Sequence, residues 1–278
     1  ETMNAGARVQ VDERKEHPMD FALWKAAKEG EPAWVSPWGK GRPGWHIECS
    51  AMNMHYLGEQ IDIHGGGTDL IFPHHENEIA QTEALTHKPF ARYWIHNGML
   101  TFKSEKMSKS VGNMITIDEF LQKHPGDVMR LLVLNGSYRS PLTYSDEVLE
   151  QTEQAYRRLL SAKKPALPNA PGISPEKAQA LAEAAQKAHA QFIESMDDDF
   201  NTAAAMAAIF ELVKQINQAR AEGATQAQLE PAQAMFNELT SVLGLQLREQ
   251  AGTQTSADAF IDLLVEVRNE LRAQKNCA

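Results

Sequence analysis

The sequence predicts an α/β region followed by an all-α region, and three observations carry that expectation. Residues 1–144 hold all five tryptophans and are rich in His, Gly and Pro, with apolar runs short enough for short strands and helices. From Ser145 onward the composition shifts to Ala, Glu, Gln and Leu, with apolar residues at helical spacing. No internal repeat is present, so neither half reads as a solenoid or propeller.

Bulk properties narrow the function classes. A chain of 278 residues suffices for one large domain or two ordinary ones. With 42% hydrophobic and 23% charged residues, the balance is globular and excludes disordered and fibrous classes. A net charge of −10 argues against non-specific binding of nucleic acid or membrane, although a local basic patch could still hold RNA. No apolar run approaches the ~20 residues that span a bilayer. The opening ETMNAGARVQ lacks an initiator Met, a secretion signal and a cleavage pattern, and reads as the middle of a longer chain. The two cysteines, Cys49 and Cys277, are no disulfide framework, and without a secretion signal they point to a reducing cytoplasm.

The elements can be justified in order. The run Asp20-Phe-x-x-Trp-Lys reads as the start of an amphipathic helix. The Pro- and Gly-rich stretch PWGKGRPG predicts a rigid exposed loop, after which Pro43 opens a helix. On that helix His46 and Cys49 are three apart and share a face. Ile61 to His64 alternates apolar and polar and predicts a strand ending at His64. Gly65-Gly66-Gly67 then allows backbone N–H groups to approach a ligand, and Asp69 could take a cation, an amine or a ribose. Pro73 predicts a second helix start, with His74 and Glu78 four apart on one face and His75 and Glu76 directed elsewhere.

Cys49, His74 and Glu78 offer sulfur, nitrogen and oxygen, the donor types zinc favours. The bland alternative is an inert cysteine, a histidine at a helix start and a solvated glutamate. In KSEKMSKSVGNMITIDEF, Lys106, Lys109 and Ser110 fall on a loop before a Gly112-Asn113 turn and a helix capped by Thr116. Basic groups on such a loop suit a polyanion whose charge grows during reaction, such as departing pyrophosphate. A solvated charged loop is the alternative. Beyond Ser145, helices are expected over 145–163, 175–195, 200–221 and 226–243. The connector KPALPNAPGISP interrupts them, and REQAGTQTSAD is a second linker leading to an amphipathic helix from about Ala257.

The motifs resemble those of a known family. KMSKS resembles the second signature of class I aminoacyl-tRNA synthetases. GRPGWHIECSAM, DIHGGGTDLIFPHHENEIAQ, EKMSKSVGN and MDDDFNT resemble the cysteinyl-tRNA synthetase family, over Val9 to the end of the chain. The resemblance implies the C-terminal half of a class I Rossmann-like nucleotide-binding catalytic domain followed by an antiparallel helical bundle. It divides the chain into a partial catalytic domain over 1–144, a tRNA-contacting helical bundle over 145–246, and a linker with the start of an anticodon-binding region over 247–278.

The resemblance also implies a cytoplasmic, monomeric ligase of protein biosynthesis. Such an enzyme activates L-cysteine with ATP and Mg²⁺ and transfers it to the 3′ adenosine of tRNA(Cys), with no membrane partner. Cys49, His74 and Glu78 match zinc (Zn²⁺) ligands. Lys109 matches the ATP-binding lysine of the signature loop, with Lys106 beside it, and Trp45, His46, His64 and Asp69 match residues lining the amino-acid pocket. Zinc holding the substrate thiolate exploits the softness of sulfur, where a hydrogen-bonding pocket separates cysteine from serine poorly. Two features of the family pattern are absent from the sequence: a His-x-Gly-His string and a fourth ligand cysteine upstream of it. The expectation is therefore a fragment, incomplete at both ends and inactive by itself. Two other readings stand beside it: the cysteine–amino-sugar ligase of mycothiol biosynthesis, and a non-catalytic zinc- or tRNA-binding module.

Overall fold

The computed structural model describes residues 15–102, 105–106 and 115–248. It forms two compact units, one of Glu1–Met99 with Tyr138–Pro141 and one of Leu100–Ser137 with Leu142–Ala278.

The first unit opens with a three-stranded antiparallel ribbon of β1 (Trp24–Ala26), β2 (Trp34–Ser36) and β3 (Gly39–Pro43), with β3 in the centre. Trp24 pairs with Pro43 and Trp34 with Gly41. Two expectations are corrected here. The Asp20-Phe-x-x-Trp-Lys run does not begin a helix, because its Trp24–Ala26 segment is recruited as an edge strand. The Pro- and Gly-rich stretch is not a loop, because ladder pairing needs only backbone groups. Glycine is required at position 41, since a Cβ there would stand 2.3 Å from the Lys25 carbonyl oxygen and 2.5 Å from the Trp24 indole nitrogen. Pro43 closes β3, and helix α1 (Trp45–Leu57) starts after Gly44.

Strand β4 (Ile61–Gly67) runs through the glycine triplet instead of ending at His64. It pairs in parallel with β5 (Ala91–Asn97), from Ile61 opposite Ala91 to Gly67 opposite Asn97. A parallel pair needs a crossover connection. Here it consists of a 3₁₀ turn (Thr68–Leu70), an irregular turn (Ile71–His75) and helix α2 (Glu76–Thr86). Helix α1 packs on α2.

In the second unit, β6 (Leu100–Phe102) pairs antiparallel with β7 (Glu105–Lys106) and parallel with β8 (Leu142–Tyr144). Helices α3 (Ile117–Leu121) and α4 (Gly126–Leu134) lie between β7 and β8 in sequence. Thr116 caps α3 in a full capping box with Glu119, as its position predicted. The bundle follows as α5 (Asp146–Ala162), α6 (Pro175–Asp197), α7 (Thr202–Ala221) and α8 (Gln226–Val242). These bounds agree with the expected helices to within two residues. Ser145 accepts from the Val148 N–H at 3.3 Å and Ser174 caps α6, with Pro175 at its first position.

The principal core belongs to this unit: Leu159 of α5, Phe192 of α6, Ile209, Leu212, Val213 and Ile216 of α7, and Leu229 and Phe236 of α8. Arg220 and Gln233 both donate to the carbonyls of Ala162 and Lys164, closing the C-terminal end of α5. Among the described residues no helix is long and apolar enough to cross a membrane.

Candidate metal and amino-acid site

The site draws its side chains from five elements. Helix α1 supplies Trp45, His46 and Cys49, strand β4 supplies His64, the turn before α2 supplies His74 and His75, α2 supplies Glu78, and β5 supplies Trp94 and His96. Glu78 is the hub and is completely buried. Its Oε2 lies 2.5 Å from His64 Nε2, and its Oε1 lies 2.7 Å from His74 Nε2. The His74 contact is short yet not directed as a hydrogen bond, so Oε1 remains a buried carboxylate oxygen without a donor. Such an oxygen is costly unless a cation meets it.

Cys49, His74 and Glu78 bring ligand atoms within 4.8 Å of one another. The three residues singled out by spacing therefore converge, with the donor chemistry zinc takes. A second set shares the hub: His64, His75 and Glu78 also place their ligand atoms within 4.8 Å. That corrects the expectation that His75 points away. His75 is 3% exposed and its Nδ1 lies 2.8 Å from His96 Nε2. The β4 glycines explain how it fits. A Cβ on Gly66 would stand 3.0 Å from the His75 ring, so the bare backbone of β4 makes room for an imidazole. The triplet thus accommodates the protein's own side chains, where the sequence alone suggested an approaching ligand.

Three of the four predicted pocket residues, Trp45, His46 and His64, gather around this hub. Trp45 stacks on His74, with ring centroids 4.2 Å apart and planes 19° apart, and remains half-exposed. His46 Nδ1 lies 2.8 Å from His74 Nδ1, which fixes the His74 ring with its Nε2 toward Glu78. His64 lies opposite Trp94 in the parallel register. Asp69 is half-buried on the 3₁₀ turn, and its Oδ1 would stand 2.5 Å from a Cβ on Gly67.

Burial sets the protonation pattern. It lowers the pKa of His75 to about 4, and lowers those of His46 and His96, so these imidazoles are neutral at pH 7. Burial and the Glu78 charge push the Cys49 thiol up to about 11. Neutral imidazoles are the form that ligates metal and accepts hydrogen bonds.

Sequence reasoning missed His75, Trp94 and His96. The signal available was the alternation in β5, which puts Trp94 and His96 on one face. Their meeting with His64 and His75 depends on a non-local parallel register that no local pattern reveals. Lys106 lies on β7, where only its backbone is described, and Lys109 with the rest of the Met-Ser-Lys-Ser string lies outside the described residues.

Fold and site together define an α/β region that carries a candidate metal centre and is followed in sequence by a helical bundle. Comparison gives the family. Residues 1–154 match the tRNA synthetases class I (C) catalytic domain, and residues 191–248 match the DALR domain. The chain belongs to the class I tRNA synthetase (C) family.

Its relatives include a protein of Dehalococcoides mccartyi named cysteine--tRNA ligase, 53% identical over 99% of this chain. A protein of the same name from Carboxydothermus hydrogenoformans is 49% identical over 99% of this chain. The chain spans 58% and 59% of the length of these two relatives. Among solved structures, the leucyl enzyme of Agrobacterium radiobacter K84, titled as a ternary LeuRS-tRNA-LeuAMS complex, aligns with a TM-score of 0.58 at 15% identity. That alignment covers 81% of this chain and 35% of the other, and shares the fold.

Proposed function

We propose that this chain carries the metal centre, amino-acid pocket and helical region of a cysteine–tRNA ligase. The whole enzyme forms cysteinyl-adenylate from L-cysteine and ATP·Mg²⁺ and passes the cysteinyl group to the 3′ adenosine of tRNA(Cys). The observation that carries this reading is the convergence of Cys49, His74 and Glu78 beside Trp45 and His46. Relatives at about half identity bearing the ligase name support it. The match of residues 191–248 to the DALR domain favours tRNA over an amino sugar as acceptor.

The residues present fit a zinc ion, since a soft, a borderline and a hard donor surround a buried carboxylate oxygen that lacks a partner. Bound by Cys49, His74 and Glu78, zinc supplies a Lewis acid that prefers a sulfur ligand to a hydroxyl. The protein's own groups do the rest. His46 holds the tautomer and plane of His74, and Trp45 covers that imidazole from one face. His64 anchors Glu78 through Oε2 and leaves Oε1 available. We assign Asp69 to the amino-acid pocket, as a carboxylate suited to an ammonium group, and Lys106 and Lys109 to the phosphates of ATP. We assign 1–144 to the catalytic region, 145–246 to the tRNA-contacting bundle and 247–278 to the approach to an anticodon-binding region, in a monomeric cytoplasmic enzyme.

The test uses the chain loaded with Co²⁺ in place of zinc. Added L-cysteine is expected to strengthen the sulfur-to-metal charge-transfer band, and L-serine to leave it unchanged. An equal response to both amino acids, or none to cysteine, overturns the assignment of the pocket.

A further inference from the structure

Helix α1 meets α2 and the turn before it through three side-chain pairs in order. His46 Nδ1 lies 2.8 Å from His74 Nδ1, the Cys49 sulfur and a Glu78 oxygen lie within 4.8 Å, and the Ser50 hydroxyl donates to Gln81 Oε1 at 2.9 Å. The first two pairs belong to the metal centre described above. The third has no role there, yet it follows the second by one residue on α1 and by one turn on α2.

The state of the Gln81 amide sets it apart. Among the described residues five buried side-chain nitrogen and oxygen atoms lack a hydrogen-bond partner, and three of them stand on one stretch of α2: Glu78 Oε1, Gln81 Nε2 and Thr82 Oγ1. A buried donor without an acceptor is costly, so each such atom calls for a partner that the folded chain does not itself provide. Ser50, only 2% exposed, occupies the oxygen end of the Gln81 amide, which leaves the N–H groups of Nε2 for another acceptor. Long side chains on a helix lean toward its N-terminus, over the residue three or four positions earlier. For Gln81 that residue is Glu78, the carboxylate against which the Cys49 sulfur lies.

A cysteine that ligates a metal does so as a thiolate, which accepts hydrogen bonds and has none to give. Donors to ligand atoms fix their orientation and tune the metal they hold. We propose that Gln81 is a positioning residue of the metal centre: its Nε2 donates to the Cys49 thiolate once a metal is bound, and Ser50 holds the amide for that bond. The proposal rests on Cys49, His74 and Glu78 being the ligands and adds the group that steadies the sulfur among them. It also separates the two donor sets, because the set of His64, His75 and Glu78 offers Gln81 no thiolate.

The whole chain loaded with Co²⁺ tests this, because the sulfur-to-metal charge-transfer band reports the energy of the sulfur lone pairs. An N–H donor lowers that energy, so losing the donor moves the band to longer wavelength. Gln81→Met keeps the length of the side chain and removes the donor. It is expected to red-shift the band and to weaken zinc binding about tenfold or more. Ser50→Ala is expected to shift the band the same way by less, since the amide stays but is no longer held. Thr82→Val removes the neighbouring orphan hydroxyl at nearly equal size and is expected to leave the band position unchanged. A merely structural role for Gln81 would change the metal occupancy, and with it the intensity of the band, without moving its wavelength.

A band that stays in place in Gln81→Met overturns the proposal. An equal shift in Thr82→Val also overturns it, because the change then follows from any disturbance of α2. If Gln81→Met fails to fold, Ser50→Ala decides in its place, and an unmoved band there overturns the proposal. A band absent from the unaltered chain, or unaffected by Cys49→Ala, removes the Cys49 assignment and this proposal with it, so the two failures are told apart.

Discussion

Replacing Cys49 with alanine separates the two ways this site could hold zinc. Both candidate donor sets contain Glu78, but only one contains Cys49 and only the other contains His75. Structural zinc sites with four protein ligands bind with ~10–16 kcal/mol, on the order of 3–4 kcal/mol per ligand. Removing the thiolate from a Cys49, His74 and Glu78 site therefore costs about 3 kcal/mol, which weakens zinc binding roughly 100-fold. Removing His75 leaves that site's own ligands in place and is expected to cost no more than about tenfold, the low end for a group outside the ligand set. Glu78→Ala removes the shared ligand and abolishes binding in either case.

Competition titration of the zinc-loaded chain against a chromophoric chelator measures all three variants on one scale. The expected order of affinity is unaltered protein, then His75→Ala close to it, then Cys49→Ala, then Glu78→Ala. Unchanged affinity in Cys49→Ala together with a large loss in His75→Ala would refute the reasoning and move the metal to the His64, His75 and Glu78 set.

Four further outcomes follow from the same structure. Zinc at 100 times its dissociation constant should stabilise the unit that holds the site by ~2.7 kcal/mol, read as a shift of its thermal transition that a chelator reverses. Because Trp45 stacks on His74, zinc should also change tryptophan emission, and Trp45→Phe should remove most of that change. Arg220→Ala in the bundle should cost about 2–3 kcal/mol in denaturant unfolding, since it removes donors from Ala162, Lys164 and Asn217; Gln233 still serves the first two, which limits the loss. Phe236→Ala, at a fully buried position, should cost about 3–5 kcal/mol by the same measurement, and a value under about 1 kcal/mol would contradict the packing described.

How much of this could be read beforehand depends on whether the determining interactions are local. The bundle helices were legible because their caps and apolar stripes act within a few residues: Ser145, Ser174 and Thr225 accept from N–H groups three residues on. The ribbon was not legible. Trp24-Lys25-Ala26 has no intrinsic reason to be extended, and becomes a strand only because β3 offers it a ladder edge. Gly39–Pro43 contradicts strand propensity outright, yet sits in the centre because a Cβ at position 41 would collide with both neighbours on one side.

The site shows the same division in sharper form. His74 and Glu78 could be paired from sequence because four residues of helix fix their separation, and the Cys49 prediction needed only one further assumption, that α1 packs on α2. His64, Trp94 and His96 reach the hub through the β4–β5 register, a property of two strands twenty-four or more residues apart. Spacing therefore yielded three candidate ligands that the structure brings together, whereas the pairing of two strands determines what surrounds them. That surrounding bears on the chemistry. Without His64 on Oε2, both oxygens of the buried Glu78 would lack a hydrogen-bonding partner. With it, one oxygen is anchored by an imidazole and the other remains for a cation beside the thiol. A site that holds its carboxylate by one oxygen orients the second without occupying it, and this is the condition for a metal ligand that is pre-positioned before the metal arrives.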